Sequence, residues 1–502
     1  MLSSGLFDII PDRQVVIQVV VVGVITYWTL WICYARCFHP LSRYPGPFWA
    51  SVSRIWTVVH VLIGNAEAAQ KVLHARYGPV VRIAPNELII NDPHDFYLSF
   101  RAPFSRYPDH FTSTDEKIHA KRRRNVSHVY TMTSILQSEK YLNECTAVFL
   151  EQLGKIAENK DTFDLHEWVR MYAYDVIGEH YFSKMFGFLK SGNDHLGFMG
   201  STDTLVPVMT LSGVMPAYIR PLFMFAGFLF PRVRNALTAL GKSNKAAETA
   251  VQDHLTERDK NRDGQRRADV LNKVLDIYFD SSEKADFDLD DVRLEAFGAF
   301  LAGSDTTAIF ISATLYHIIK NRDVYDRLTK EIDQGTKEGL FSTPFITYNE
   351  AVKLHYLSAC IKEGMRVHPS TALPFPRNAP KGGCDIAGHW VPETARVGVN
   401  AAVVQFDKSI FGDDADVFNP LRWIEGDTDK MNRYILQFGA GSWTCMGKHI
   451  SMTEIYKIVP ELLRSYHFEL DDPRPMTTTS YWFYKPGPIK TRVTKRHPDI
   501  QA

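Results

Sequence analysis

A mainly α-helical fold with small β-sheets, preceded by one N-terminal transmembrane helix, is predicted by three observations. Helical periodicity runs through most of residues 117–280. Strand-like runs are short and fall early and late in the chain. From Val15 to Ala35, 21 successive residues carry no charge. Composition narrows the class further. Over 502 residues, 57 Lys and Arg balance 57 Asp and Glu, which leaves no global basic surface for a nucleic-acid partner. The 45% hydrophobic content is enough for one large core, and no Pro/Gly/Ser-rich linkers cut the chain into thirds. One body over residues 51–502 is expected.

The uncharged stretch at 15–35 is long enough to cross a hydrocarbon core at about 1.5 Å per residue. Asp8, Asp12 and Arg13 precede it, where a cleaved signal carries positive charge, so it reads as a retained anchor. Tyr27, Trp28, Trp31 and Tyr34 gather toward one end, as at a membrane interface. Arg36, His39, Arg43 and Arg54 follow. By the positive-inside tendency, residues 1–14 are then lumenal and the body cytosolic. Residues 36–50 read as a basic, proline-containing hinge, with Tyr44-Pro45-Gly46-Pro47 as its stiff break. Six cysteines, at 33, 37, 145, 360, 384 and 445, include no C-x-x-C pair, so they make neither a disulfide framework nor a zinc site. An important cysteine here acts as a single thiolate.

Within the body, Gly78–Pro85 and Glu87–Asn91 read as two strands joined at Pro85-Asn86. Pro207, Pro216, Pro221 and Pro231 are expected to interrupt the helices that follow. Between them Ala217–Phe230 is very apolar, either a core helix or a second surface dipping into lipid beside an entrance for apolar molecules. His254–Asp269 is a solvated charged run without assigned chemistry.

Asp291–Lys320 is one long helical pattern that contains Ala302-Gly303-Ser304-Asp305-Thr306-Thr307. A glycine inside a helix costs about 1 kcal/mol against alanine. Its position reflects either local opening to admit a ligand or close helix packing. Glu363 and Arg366 form an i,i+3 pair, by itself an ordinary surface pair. Their helix ends at His368-Pro369, and Leu373-Pro374-Phe375-Pro376-Arg377 follows. Phe418-Asn419-Pro420-Leu421-Arg422-Trp423 adds a third charged residue. Phe438-Gly439-Ala440-Gly441-Ser442-Trp443-Thr444-Cys445-Met446-Gly447 sets a cysteine in a Gly-rich loop before a helix starting near Lys448. Glycines let the backbone wrap closely, amide N–H groups can bond to the sulfur, and the helix N-terminus favours a thiolate, which suits a soft iron ligand.

In order and spacing these elements resemble the cytochrome P450 family, whose haem-thiolate signature reads F-x-x-G-x-R-x-C-x-G. The resemblance spans nearly the whole chain. The run from Cys445 to Ile450 and the segment His119-Ala120-Lys121-Arg122-Arg123-Arg124 look like fungal microsomal members of secondary metabolism. The resemblance implies the cytochrome P450 fold, with Cys445 as the axial ligand of haem b iron. It implies Asp305 and Thr306 as the catalytic pair relaying protons to dioxygen, with Ala302 and Gly303 making room. It assigns His119, Arg123 and Arg377 to the haem propionates, Phe438 to the cofactor side of the loop, and Glu363, Arg366 and Arg422 to a buried structural triad. Pocket walls are expected around residues 100–118, at Phe297–Leu301, at Thr371–Phe375 and at Tyr481-Trp482-Phe483.

The activity so implied is insertion of one oxygen atom from O2 into a hydrophobic terpenoid, alkaloid or polyketide, in biosynthesis or, alternatively, in detoxification. Electrons are expected from NADPH through a separate NADPH-cytochrome P450 reductase, because the 55 residues after Gly447 are too few for a flavin domain. Lys121, Arg122, Arg124 and Lys448 are its expected docking charges. The protein is expected as a monomer in the endoplasmic reticulum membrane. One position departs from the pattern: Trp443 stands where the family has Arg, with an N–H but no charge. The expectation is weakened haem binding that Trp443→Arg improves. A haem-thiolate isomerase or dehydratase, and a membrane-anchored protein without haem, are the competing readings.

Overall fold

Helix α1, Arg13–Cys33, is apolar all round and buries none of its residues. A π-helical turn, Tyr34–Phe38, prolongs it into a 26-residue apolar span. The computed structural model describes residues 13–91, 110–111, 113, 115–260, 266–285, 287–386, 388–472 and 474–496. Most of the expected lumenal segment 1–14, and residues 100–109, 112 and 114 of the expected pocket wall, therefore lie outside the described residues.

The junction after α1 is a bonded joint. Trp31 Nε1 donates to Val52 O at 2.7 Å. The buried Arg82 guanidinium donates to Ala35 O at 2.9 Å and to Pro85 O at 2.6 Å, and the Arg82 amide donates to Pro45 O. One arginine thus clamps the end of the anchor, the proline segment and the first strand together, which sets the direction in which the span leaves the body.

Helix α2, Ile55–Ile63, leads into strands β1, Val80–Ala84, and β2, Glu87–Ile90, which pair antiparallel as expected. Helices α3, Glu116–Val126, α4, Leu165–Phe182, α5, Phe198–Val214, α6, Arg220–Phe228, and α7, Pro231–Lys260, follow. Three of the four prolines mark boundaries: Pro216 follows α5, Pro221 lies in the first turn of α6 and Pro231 opens α7. Pro207 does not interrupt α5, which packs along α7 and runs through it. There tertiary packing outweighs the loss of one backbone donor.

Helix α8, Leu289–Lys320, crosses the core, with Asp288 and Asp291 forming a capping box at its start. It packs on α4, on α7, on α9, His355–Val367, and on α10, Lys448–Ser465. The main hydrophobic cluster gathers buried residues of these helices, among them Tyr172, Phe300, Phe310 and Leu462. Strands β3, Arg377–Asn378, and β4, Arg396–Gly398, complete the sheet β1-β2-β4-β3, with β2 and β4 parallel. Strand β5, Tyr466–Leu470, pairs with β8, Lys490–Lys495, and the hairpin of β6, Thr478–Tyr481, and β7, Phe483–Pro486, projects between them in sequence.

The i,i+3 pair on α9 is buried. Glu363 takes Arg366 in a two-pronged contact at 2.7 and 2.9 Å, Arg422 Nε at 3.1 Å, Trp423 Nε1 at 2.8 Å and the Asn419 amide at 2.9 Å. Arg366 also donates to Gln405 O, Ala415 O and Val417 O. Every charge is paired and nearly every donor used, the condition under which a buried ionic cluster is tolerated. Removing one partner of such a cluster costs about 3–5 kcal/mol. Arg366→Ala is expected to lower the urea unfolding midpoint by a corresponding amount, and Arg366→Lys to lower it as well, because an ammonium lacks the fork. Arg474→Ala, at an exposed pair, is expected to leave the midpoint unchanged.

Candidate active site

The cysteine loop closes on itself before α10 begins. Gly439 and Gly441 adopt φ of 68° and 69°, the left-handed region where other residues are strained. The Cys445 amide donates to Phe438 O at 2.8 Å, and Thr444 Oγ1 donates to Gly441 O at 2.7 Å. Burial pushes the Cys445 thiol up, while the Gly447 and Lys448 amides and the charges of Arg123 and Lys448 pull it down. The side chain nonetheless has open surface. A sulfur that is deeply desolvated and still accessible faces interior space rather than bulk water. Backbone donors and cations prepare the thiolate, and a coordinated cation completes its deprotonation.

Three elements border this loop. Phe310 of α8 meets Phe438 edge-to-face at 6.2 Å. His119 and Arg123 come from α3, and Arg377 from β3. The His119 imidazole stacks on Trp443, and the Arg377 guanidinium lies over the same indole. Burial, then the charges of Arg123, His110 and Arg377, push His119 down to about 4, so its ring is neutral. Burial lowers Arg377 to about 10. His119 Nε2 and Arg377 Nε and Nη1 are buried without a hydrogen-bond partner among the described residues. Buried nitrogens in that condition are rare in native proteins and mark a place where a ligand supplies acceptors. A haem fits: it brings iron to a lone soft ligand and two carboxylates to orphaned donors.

On α8, Ala302 is accessible, and Thr306 Oγ1, one turn on, donates to Ala302 O at 2.7 Å. Asp305 lies about 100° around the helix from Thr306 and points elsewhere. Its carboxylate takes Arg170 Nε of α4 at 2.9 Å and Thr202 Oγ1 of α5 at 2.7 Å. Burial raises its pKa, but the Arg170 and Lys485 charges and the Thr202 and Arg170 hydrogen bonds outweigh that and hold it below the usual range. Asp305 is therefore an ion-paired anion engaged with α4 and α5, whereas the Thr306 hydroxyl bonds within its own helix. Gly303 also answers to packing. A Cβ there would lie 2.8 Å from Ile177 Cδ1 of α4, so the glycine lets two helices approach.

Three of the expected wall segments meet. Trp482, between β6 and β7, has φ of 89°, costly for a bulky residue and typical of functional sites. Its indole meets Phe375 edge-to-face at 5.3 Å and stacks with Phe111 at 6.4 Å. Thr210 Oγ1 and the Ala372 amide hold this hairpin through Tyr481 O and Trp482 O. Phe300, inside the fourth expected segment, turns instead into a core cluster with Tyr174, Phe186 and Phe198.

The apolar segment 217–230 is no core helix. No residue of α6 is buried, and Leu222, Phe225 and Phe228 are more than half exposed. On its inner side Phe223 packs with Val61 of α2 and Leu211 of α5, which places the exposed Leu62 and Ile63 on the same flank. A contiguous apolar patch of this kind marks contact with lipid or protein. Of the expected docking charges, Lys121, Arg124 and Lys448 are exposed, whereas Arg122 is engaged with Asp291 of α8. The network behind Asp305, in which Arg170 bridges it to Asp203 and Asp203 takes Lys485, was not legible in sequence, since its members lie far along the chain from Asp305.

A family model described as Cytochrome P450 matches residues 38–493. The chain is 38% identical over 495 residues to the cytochrome P450 monooxygenase gsfF of Penicillium aethiopicum, covering 95% of this chain and 97% of that one. It is 36% identical to the cytochrome P450 monooxygenase ACRTS1 of Alternaria alternata over 74% of this chain and 99% of that one. To the cytochrome P450 monooxygenase pkfB of Emericella nidulans it is 31% identical over 91% and 92%.

Asp305 carries a pH signature. Its folded pKa is lowered from the unfolded value of about 3.9, so its contribution to stability is present above that pH and is lost as pH falls through the folded value. Asp305→Asn is expected to cost about 2 kcal/mol at pH 7, since Arg170 keeps Asp203 and Glu167, and to flatten the acid limb of stability against pH. An acid limb identical in parent and variant would show that the pair contributes nothing.

Proposed function

Given that the chain belongs to the cytochrome P450 family, a family of haem-thiolate monooxygenases, we propose that it oxygenates a hydrophobic small molecule of fungal secondary metabolism, a terpenoid, alkaloid or polyketide. The observation that carries the reading is Cys445, desolvated yet accessible, surrounded by the orphaned nitrogens of His119 and Arg377. When bound there, haem b supplies the dioxygen chemistry that places one oxygen atom in a C–H bond.

The chain's own residues do the rest. Cys445 holds the iron, and Arg123 compensates the thiolate charge. Arg377 and His119 donate to the propionates. Thr306 holds a proton at Oγ1 on the accessible face of α8, beside the small side chain of Ala302. Asp305 supports that position from outside it, and a proton passes through Asp305 only as its pair with Arg170 opens. Phe111, Phe375 and Trp482 offer aromatic faces to an apolar substrate and exclude water.

Electrons come from NADPH through a separate reductase, whose acidic face suits the exposed Lys121, Arg124 and Lys448. The anchor, with Arg36, Arg43 and Arg54 after it, suits an endoplasmic reticulum membrane with the body in the cytosol and the patch of α2 and α6 resting on the same bilayer. The supply of an apolar substrate from lipid fits that placement.

Carbon monoxide added to the reduced full-length protein is expected to give the thiolate-type Soret band, and Cys445→Ser to lose it with an unchanged far-ultraviolet circular dichroism spectrum. Absence of the band in haem-supplemented expression overturns the reading. Turnover without NADPH and reductase would point instead to a haem-thiolate isomerase or dehydratase. A chain lacking α1 is expected to co-float with liposomes, and Leu222→Glu with Phe225→Glu to weaken that binding at least about 100-fold, from the apolar burial lost.

A further inference from the structure

Trp443 replaces an arginine of the family signature, and its surroundings are built for an indole. The His119 ring lies 3.6 Å from it, centroid to centroid, with the planes 14° apart. Arg377 Cζ lies 5.4 Å from the centroid of the same indole. The Gly441–Trp443 turn, begun by the left-handed Gly441, delivers the indole to this place. The orphaned nitrogens, His119 Nε2 and Arg377 Nε and Nη1, belong to the two groups the indole touches.

We propose that Trp443 is a positioning residue for haem, replacing a direct ionic contact with a stack that holds the His119 ring and the Arg377 guanidinium so that their free N–H groups meet propionate oxygens. The inference rests on the haem-thiolate reading of the site. Two features favour the stack over a charge. A neutral imidazole, pushed down to about 4 by burial and by nearby cations, stacks on an indole without a buried charge to desolvate. Arg123, Arg377 and Lys448 already bring three cations to this side of the cysteine loop, so a fourth at position 443 would face like charges and leave the His119 ring without its partner.

The stack and the missing-charge expectation drawn from the signature therefore give opposite outcomes for Trp443→Arg. The test is the rate of haem transfer from the purified full-length protein to apomyoglobin, at one ionic strength, for the parent, Trp443→Phe, Trp443→Ala, Trp443→Arg, His119→Ala and the double variant His119→Ala with Trp443→Ala. Trp443→Ala is expected to release haem about tenfold faster, and Trp443→Phe, which keeps the ring, to stay within about threefold of the parent. Trp443→Arg is expected to release haem faster than the parent. The double variant is expected to release it more slowly than the two single effects multiplied would give, because the His119 stack is lost once while the hold on Arg377 is lost only with Trp443. Slower release from Trp443→Arg than from the parent, release from Trp443→Phe as fast as from Trp443→Ala, or additive single effects would each overturn the stack while leaving the haem-thiolate reading intact. A parent that takes up no haem overturns both.

Discussion

The buried carboxylate of Glu363 organises the half of the molecule that carries the cysteine. Two guanidinium groups, an indole N–H and a backbone amide converge on it, and none of them can be spared once water is excluded. Because Arg366 must also find carbonyls at Gln405, Ala415 and Val417, the chain between 405 and 423 has to wrap the end of α9. Gln405 then reaches back to Met365 O and Arg366 O and accepts from the Leu436 amide. Gln437, the residue before the cysteine loop, bonds with Ser370, whose hydroxyl donates to Thr306 O on α8. A continuous set of hydrogen bonds thus runs from a structural ion cluster to both sides of the site. The entry to the cysteine loop is thereby tied to charge burial well away from the sulfur.

Helix α8 shows how one element serves two demands. Ala302 and Thr306 share a face because they are one turn apart, and that face is open. Asp305 and Gly303 look to α4, one through an ion pair and one through close approach to Ile177. The hexapeptide that reads as a single motif therefore combines an open strip, Ala302 and Thr306, with two positions that fasten the helix to α4. Arg170, which also pairs with Asp203 and Glu167, keeps Asp305 anionic.

Two separate apolar surfaces are joined by a firm link. The span Arg13–Phe38 and the patch of α2 and α6 are far apart in sequence, yet Arg82 ties the end of the first to the sheet that α2 packs against. Such a joint restricts the orientations the body can take, so an apolar face on the body is held in a consistent attitude to whatever the span crosses.

Features encoded over short distances along the chain could be read from the residues alone: the uncharged span, the β1–β2 hairpin, the reach of α8, the end of α9, and the cysteine in its glycine loop before α10. These follow from periodicity, capping and turn chemistry, which act within a few residues. The closed fold was needed to show that Pro207 leaves α5 continuous, that Arg122 turns inward and that residues 217–230 are exposed, and it supplied the partners around the expected Glu363 triad. It also decided that Asp305 faces Arg170 and that Trp443 lies against His119, partners 135 residues apart in the first case and still more distant in the second. A charge or a ring is the same letter whether it meets solvent, an ion pair or a stack. Which of these it meets depends on the helices that close around it.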